Sequence, residues 1–462
     1  MAHRTKTAAY PQRWLLLLVL AVMLTQGIVR LVAVPLWGHY DEPTHFEYMR
    51  YVAEHRALPS GKQADRDILE RIAESLGNAQ IGGCRKVAEG IPCIRPAHQF
   101  GEMPAYYVLQ AVFQIALRPA TIRDQVRLGR IVSVLLATAV AWLAHLTVRQ
   151  VFPGAHLLAI GTPLVMAVIF GYTDLMSAIS NDVGAVAALT LLIFAVVFTL
   201  RKGLRLGTAA LVVVSAALCY FTKTSAWIGL PLAVLGLLLA IWPRLPRSVK
   251  IALIAAAVLI ALLSVDWLAS GGPQVRRPIS EFVPMGNLNR RLRSWYDWSR
   301  NGAAYWAAVR WQFVSFWSAF GAGIDGLPRA GVAVLAAISG IGGLGLLPAL
   351  IRRLRAGDLE GYQWRALLFC VAAIGAALVM SLLRIDPPNS EGRIPYMPTA
   401  RHFYVAIVPT VMLLLVGLGA WIPPRLRSYG LAALVLLLHG LSVWSVLNVQ
   451  IPLFRAKWPV PY

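Results

Sequence analysis

Two adjacent carboxylates, Asp41 and Glu42, are the first residues whose type and position point to chemistry, because they follow the apolar stretch 14–36. That stretch is long enough to cross a bilayer. A helix can start at Pro43, and its apolar face recurs at Phe46, Met49 and Ala53. Asp41 is therefore expected just outside the membrane, where the helix dipole favours its ionised form and it could take a proton from an acceptor hydroxyl. The alternative is that both acids only cap the helix.

A second pair of acids brackets a polar turn between two later apolar spans. Asp174 and Asp182 stand near the two ends of the segment 173–182. Charges at such positions are costly in a membrane, so each needs a partner or a function. Either carboxylate could join Asp41 in one site, whereas the alternative for Asp182 is that it caps the following helix, supported by Asn181.

Basic residues near the ends of apolar spans are candidate ligands for a phosphate. Lys223 lies between two spans and is flanked by hydroxyls, a setting suited to charge-assisted bonds with phosphate oxygens. Arg401, followed by His402, precedes a late span, and its guanidinium could grip a phosphate at membrane depth. Arg30, about two turns before the end of the first span, could do the same. For Lys223 and Arg30 the alternative is a side chain that snorkels to lipid head groups.

A metal site is the third chemical option. His39, Asp41 and His45 stand in the pattern H-x-D-x(3)-H, and histidines with carboxylates can hold a divalent ion. The spacing matches no specific ligand signature. No cofactor is therefore firmly predicted, and a divalent metal stays an open alternative.

The composition excludes an ordinary soluble protein, because 58% of the 462 residues are hydrophobic and only 14% are charged, whereas soluble domains carry roughly a quarter charged residues. We predict an all-α polytopic membrane protein. The net charge of +22 does not indicate nucleic-acid binding, because the basic residues flank apolar spans. Anionic membrane lipids, or a lipid-phosphate substrate, explain this charge better.

Eleven membrane crossings are predicted from the apolar spans. These lie at 14–36, 131–151, 157–173, 183–200, 207–222, 225–243, 250–268, 330–350, 366–383, 403–421 and 428–449. Two short stretches, 104–117 and 306–322, raise the number to thirteen if they also cross. With eleven crossings, the short basic loops share the side of the N-terminus, which the positive-inside rule places in the cytoplasm. The long loops 37–130 and 269–329 then lie outside, together with the polar segments described above.

The external first loop, 37–130, is too long for a simple connector. Apolar residues recur every four positions at Ile68, Ile72 and Leu76, which predicts a second amphipathic helix lying at the membrane interface. Cys84 and Cys93 fall in the same loop and could be oxidised together outside the cytoplasm, or stay as two free thiols.

Short motifs in a fixed order resemble those of a known class. They are 40–46 (YDEPTHF), 101–107 (GEMPAYY), 180–182 (SND), 221–223 (FTK), 316–321 (FWSAFG) and 400–404 (ARHFY). This set resembles the GT-C class of integral-membrane glycosyltransferases, which includes protein O-mannosyltransferases and the aminoarabinose transferase acting on lipid A. The last two motifs resemble a bacterial branch of membrane proteins. Met103, Ala400 and His402 depart from the residues usual in these motifs.

The resemblance implies one GT-C-like domain over residues 1–462. It also implies inverting transfer of a sugar from a polyprenyl-phosphate donor to a glycan, lipid or protein acceptor, at the external face of a bacterial inner membrane. The catalytic candidates are Asp41, which would be the base that activates the acceptor, Glu42 and Asp182. The candidates for binding the donor phosphate are Lys223, Arg401, His402 and Arg30.

Two other classes of function remain open. In a transporter or flippase of a lipid-linked or anionic substrate, the intramembrane charges would line a path, but the sequence shows no internal repeat of the kind many transporters have. In a non-catalytic scaffold, loop 37–130 would bind a partner protein. Covalent transfer of a labelled sugar distinguishes the enzyme from both.

Overall fold

The computed structural model describes residues 10–60, 64–76, 96–255, 298–321, 323–357, 359–386, 388–389, 394 and 397–457, and they are mostly helical. The α-helices in chain order are α1 (Tyr10–Ala33), α2 (Glu42–His55), α3 (Arg66–Ser75), α4 (Ala105–Leu117), α5 (Ile122–Val151), α6 (His156–Val168), α7 (Phe170–Met176), α8 (Asn181–Lys202), α9 (Leu206–Thr222), α10 (Gly229–Ile241), α11 (Trp298–Ser318), α12 (Arg329–Arg355), α13 (Gly361–Leu382), α14 (Ile407–Trp421), α15 (Arg427–Ser445) and α16 (Ile451–Lys457). Residues 247–255 are helical as well.

Short elements connect these helices. The 3₁₀ turns lie at Thr224–Ile228, Trp242–Arg244, Ala400–His402, Tyr404–Ala406 and Pro424–Leu426, and a π-helical turn lies at Val446–Gln450. Two strands, β1 (Ala319–Phe320) and β2 (Ile324–Asp325), pair antiparallel, with Ala319 opposite Asp325 and Phe320 opposite Ile324.

The described chain contains eight segments that are long and apolar enough to cross a membrane. They are Arg13–Ala33, Ile122–Val151, Asn181–Lys202, Thr224–Arg244, Arg329–Arg355, Gly361–Leu382, Ala400–Trp421 and Pro424–Ala456. Each coincides with a predicted span. The prediction of an all-α polytopic membrane protein is therefore confirmed.

The other predicted spans have different shapes. Span 157–173 corresponds to the helix pair α6 and α7, which is bent by 77°. Span 207–222 is α9, whose 17 residues are at the short limit for crossing a bilayer, and span 250–268 lies mostly outside the described residues. Of the two short stretches, 104–117 is the 13-residue α4 and 306–322 belongs mainly to α11; neither is among the eight segments.

Helix α8 lies at the centre of the bundle. In the apolar stretch of α8, 78% of the residues are buried, whereas only 22% are buried in the apolar stretch of α12. Helices α5 and α9 both pack along α8. Helix α8 begins at Asn181 with a polar turn and ends at Lys202 with basic residues. The two ends of the bundle therefore differ in charge along this helix.

The short basic loops lie at one end of the bundle. Arg201 of α8 donates to Gln150 Oε1 of α5 at 2.9 Å, and Arg352 of α12 donates to the carbonyl of Ala420 at 2.7 Å. The Arg353 guanidinium lies 4.6 Å from the centre of the Phe152 ring, just after α5. The C-terminal ends of α5, α8, α12 and α14 therefore meet at this basic end, which agrees with the positive-inside argument.

The first loop packs tightly on the bundle. The predicted helix after Pro43 is α2, and its apolar face is buried at Phe46 and Met49. The second predicted helix is α3, whose apolar residues Ile68, Ile72 and Leu76 are buried in the protein core. Trp37 donates its indole N–H to Ser75 Oγ at 2.9 Å, which fixes the end of α3 beside the first span. Cys84 and Cys93 lie outside the described residues.

Glu47 of α2 is an unusual acid in this packing. Its side chain is buried, and both carboxyl oxygens accept the backbone N–H of Ala97, at 3.1 and 2.9 Å. Burial raises the pKa of Glu47 to about 7, and the Ala97 hydrogen bond lowers it only in part. The folded state therefore holds a proton on Glu47 at pH values where the unfolded chain has released it.

We expect the stability of the first loop to fall as the pH rises from about 4.5 through about 7, and to level off above that. Between these values the folded state binds more protons than the unfolded state, so raising the pH favours unfolding. The thermal midpoint of the purified protein in detergent, measured from pH 5 to pH 8, checks this. Glu47→Gln should flatten the profile, whereas Glu70→Gln on the exposed face of α3 should not. Equal profiles for Glu47→Gln and the parent protein would contradict the assignment.

Candidate active site

Five predicted site residues meet at the end of the bundle opposite the basic end. This polar cluster consists of Asp41, Asp182, Lys223, Arg401 and His402. Each comes from a helix terminus or a short turn: the residue before α2, the first turn of α8, the residue after α9, and the 3₁₀ turn that leads towards α14. Helix ends are suitable places for such residues. The chain can change direction there without breaking the hydrogen bonds inside a helix, so side chains from several helices can meet.

Arg401 is the hub of the polar cluster. Its two terminal nitrogens lie 3.3 and 3.4 Å from Asp41 Oδ2, and its Nε lies 3.8 Å from Asp182 Oδ2. The guanidinium also stacks over the Tyr40 ring, 3.7 Å from its centre. One side chain thus connects the first loop with the start of the central helix.

Lys223 pairs with the second acid. Its ammonium lies 2.8 Å from Asp182 Oδ1 and 2.7 Å from Asn181 Oδ1, and the Asn181 amide donates to Glu102 Oε2 at 3.2 Å. Only 5% of Lys223 is exposed, so this side chain does not snorkel to lipid head groups. The supporting contacts from Asn181 and Glu102 were not predicted, although both residues lie in motifs noted above.

His402 completes the surroundings of Asp182. Its Nδ1 lies 3.7 Å from Asp182 Oδ1, and both side chains are buried. Asp182 therefore faces Lys223, Arg401 and His402 at once, and the charges of Lys223 and Arg401 compensate its buried carboxylate.

The side chains of Asp41 and Asp182 do not cap the helices that they begin. Asp41 occupies the N-cap position of α2, but its side chain makes no capping hydrogen bond, and its backbone has a left-handed φ of 54°. Such a conformation is uncommon for a residue other than glycine, and the carboxylate lies 3.3 Å from Arg401. In α8 the cap is Ser180, whose hydroxyl accepts the N–H of Asp182 at 3.2 Å. Both carboxylates are thus available for other contacts.

Glu42 is directed away from the polar cluster. It is fully buried and receives two hydrogen bonds from Arg130 of α5, at 2.8 and 2.6 Å. Arg130 also donates to the carbonyls of Val34 and Pro35, at 2.7 and 2.8 Å. Burial raises the pKa of Glu42, but the charge and hydrogen bonds of Arg130, together with His39 and the Ile179 N–H, outweigh it, and the net shift of the pKa is downward. The pair fastens the start of the first loop to α5.

Arg30 also lies apart from the polar cluster. Its guanidinium donates to Gln450 Oε1 at 3.0 Å and to Ser442 Oγ at 2.6 Å, and it stacks 4.1 Å from the centre of the Phe170 ring. The side chain is fully buried, so it does not snorkel. Gln450 continues this network by donating to Asp174 Oδ1 at 2.9 Å.

The predicted metal ligands have three different partners. Asp41 faces Arg401, His45 Nδ1 lies 2.8 Å from the Tyr107 hydroxyl, and His39 Nδ1 lies 3.6 Å from Asp174 Oδ2. Burial, followed by the charge of Lys223, lowers the pKa of His45 well below its usual value, so this imidazole is neutral. Within the part of the chain that the structure describes, no group of three or more His, Cys, Asp or Glu side chains could hold a metal ion.

Known proteins support the fold. No family model and no curated protein matches the sequence. The apo structure of the Archaeoglobus fulgidus oligosaccharyltransferase matches with a TM-score of 0.51 and 12% identity, covering 95% of this chain and 56% of that one. Its complex with Zn and sulfate gives 0.46 and 12%, covering 97% and 54%. The chain thus spans about half the length of these structures, and it shares the fold of the corresponding part of the apo oligosaccharyltransferase structure.

Replacing each of the two adjacent acids should have very different effects on folding. Glu42→Gln leaves the buried Arg130 without its ionic partner, so we expect a loss of about 3–5 kcal/mol in the free energy of unfolding. Asp41→Asn should cost less than about 1 kcal/mol, because 37% of the Asp41 side chain is exposed and its contacts to Arg401 are long. Thermal unfolding of both variants in the same detergent measures this. Similar losses in the two variants would refute the division of roles.

Proposed function

We propose that this chain is a glycosyltransferase that moves a sugar from a polyprenyl-phosphate donor to an acceptor hydroxyl at the external face of the membrane. The observation that carries this proposal is the polar cluster, in which a partly exposed acid, Asp41, is joined through Arg401 to the buried pair of Asp182 and Lys223. The fold shared with an oligosaccharyltransferase supports it.

Asp41 is the general base in this proposal. The acceptor oxygen attacks the anomeric carbon of the sugar from the side opposite the phosphate, and its proton passes to the Asp41 carboxylate. One carbon–oxygen bond forms as the bond to the phosphate oxygen breaks, so the anomeric configuration inverts. Asp41 suits this role because more than a third of its side chain is exposed to an incoming acceptor, unlike that of Glu42.

Arg401 and Lys223 stabilise the phosphate that leaves. A cation close to the leaving oxygen lowers the barrier, because negative charge develops there during the reaction. Asp182 holds both cations in place, and His402 packs beside them. Glu42 and Arg30 are left out of the reacting set, because Arg130 holds the first and Ser442 with Gln450 holds the second.

The orientation follows from charge. The basic end is assigned to the cytoplasm together with the N-terminus, and the polar cluster to the outside, where a lipid-linked sugar and an acceptor can both reach it. The membrane we propose, from the resemblance of the motifs, is a bacterial plasma membrane. The partners are the lipid-linked donor, a glycan, lipid or protein acceptor, and the surrounding membrane lipids.

Asp41→Asn should abolish transfer, because the amide cannot accept the acceptor proton, while the protein still folds and binds donor. The measurement is incorporation of radiolabelled sugar from a panel of polyprenyl-phosphate monosaccharides into a membrane extract, with and without EDTA to test the divalent metal. Asp67→Asn, a similar change at an exposed site in the same loop, should keep full activity. Near-normal turnover in Asp41→Asn removes Asp41 from the mechanism, and movement of label across vesicles without covalent transfer favours a transporter.

Arg401→Ala should weaken binding of unglycosylated polyprenyl phosphate by about tenfold or more, because it removes a charge-assisted contact to the phosphate. Lys223→Ala should act in the same direction. Binding is measured by titrating the lipid into protein in detergent micelles. Arg427→Ala removes the same charge from an exposed position at the basic end and should leave the affinity unchanged. Equal affinities for Arg401→Ala and Arg427→Ala would show that the phosphate binds elsewhere.

A further inference from the structure

A small cavity opens directly beside the polar cluster. Its lining includes His39, Asp174, Gly321, Arg401 and Tyr404. Arg401 therefore belongs both to the polar cluster and to the wall of this cavity. The cavity lies between the residues proposed to bind the donor phosphate and the separate network that contains Arg30.

His39 is the unexplained group in this cavity. Only 4% of the residue is exposed, and within the described chain neither ring nitrogen has a hydrogen-bond partner. Its Nδ1 is 3.6 Å from Asp174 Oδ2, close enough for an electrostatic contact. A buried polar group without a hydrogen bond costs free energy, so native proteins generally supply a partner for it. A ligand in the cavity would be that partner.

Asp174 determines which ring nitrogen of His39 carries the proton. Its Oδ1 accepts from Gln450 Nε2 at 2.9 Å, and its Oδ2 accepts the backbone N–H of Gly321 at 3.1 Å. With the carboxylate held in this way, a ring proton of His39 is favoured on Nδ1, the nitrogen that faces Asp174. The other nitrogen, Nε2, is then an acceptor for a donor such as a hydroxyl.

The volume of the cavity limits the size of that ligand. It is about 30 Å³, which is room for a group about the size of one or two water molecules. Gly171 and Gly321 are part of the lining, and a Cβ on Gly171 would lie 2.6 Å from the Tyr404 hydroxyl. A single small group of a larger molecule fits this space, whereas a whole ring does not.

The charges of the lining select a neutral group. The Asp174 carboxylate disfavours an anion such as phosphate, and the Arg401 guanidinium disfavours a cation. A hydroxyl can donate to His39 and also accept a hydrogen bond, and it brings no charge. Hydroxyl groups of this kind are carried by sugars.

We propose that this cavity binds a hydroxyl group of the donor's sugar, with His39 Nε2 as its hydrogen-bond acceptor and Asp174 as a positioning residue. The inference rests on the proposed function, since the sugar is covalently attached to the phosphate that Arg401 binds and must lie within reach of it. His39 would then contribute to choosing the sugar, whereas Arg401 and Lys223 recognise only the phosphate.

Two replacements of His39 test the contributions of its two ring nitrogens separately. In His39→Asn the amide nitrogen can keep the contact made by Nδ1, but nothing remains at the position of Nε2. In His39→Gln the amide can reach the position of Nε2. His156→Gln, at an exposed position at the start of α6, is the control for replacing a histidine. The probes are unglycosylated polyprenyl phosphate and the same lipid carrying glucose, mannose or arabinose, each titrated into protein in detergent micelles.

The wild-type protein is expected to bind at least one glycosylated lipid more tightly than the bare lipid phosphate. His39→Asn should reduce this gain by about fivefold or more, as expected for the loss of one hydrogen bond, while its affinity for the bare lipid phosphate stays the same. His39→Gln should recover part of the gain, and His156→Gln should keep all of it.

Other results overturn the inference in distinguishable ways. Normal binding of the bare lipid phosphate with the full sugar gain retained in His39→Asn shows that His39 does not contact the sugar. Absence of any sugar gain in the wild type excludes the subsite but leaves phosphate binding intact. Failure of the wild type to bind the bare lipid phosphate removes the proposed function itself, and the subsite with it.

Discussion

The buried carboxylate of Asp182 is the constraint on which the candidate site depends. It lies between Lys223 and Arg401, and all three side chains are largely removed from solvent. A buried charge is costly unless it is paired, and removing one partner leaves the others uncompensated. The start of α8, the end of α9 and the turn before α14 must therefore come together for any of the three charges to be tolerated. The fold and the site are thus coupled through one set of ion pairs.

The first loop is brought to this set by a second buried pair. Glu42 and Arg130 fix the loop to α5, and Arg130 also binds carbonyls at the end of the first apolar span. This contact positions the neighbouring Asp41, which has a left-handed backbone and whose side chain faces Arg401. Adjacent acids of similar chemistry thus have different tasks: one holds the loop in place, and the other faces the space where a substrate could enter.

Sequence reasoning predicted the helices, and it also named Asp41, Lys223 and Arg401 as candidates for the site. Apolar spans are readable because a membrane helix must satisfy its backbone internally and face lipid with apolar side chains. Asp41, Lys223 and Arg401 could also be singled out from the sequence, because a charged side chain near the end of a membrane span is costly unless it has a partner or a function. Their shared location is found in the structure, since Arg401 contacts both Asp41 and Asp182.

The pairing of distant side chains could not be predicted in the same way. Glu42 and Arg130 are 88 positions apart, and no local pattern connects them. The same holds for Arg30, whose partners Ser442 and Gln450 lie near the other end of the chain. Ser180 rather than Asp182 caps α8, a difference that depends on backbone angles at the turn. Composition and spacing identify which residues need partners, but only tertiary packing determines which partners they obtain.

A structure of the protein with a bound polyprenyl-phosphate sugar tests the central claim most directly. The account predicts the phosphate within hydrogen-bonding distance of the Arg401 guanidinium and the Lys223 ammonium, with the anomeric carbon on the side of Asp41. A phosphate bound at the basic end of the bundle, or an anomeric carbon that no path from Asp41 can reach, would contradict it.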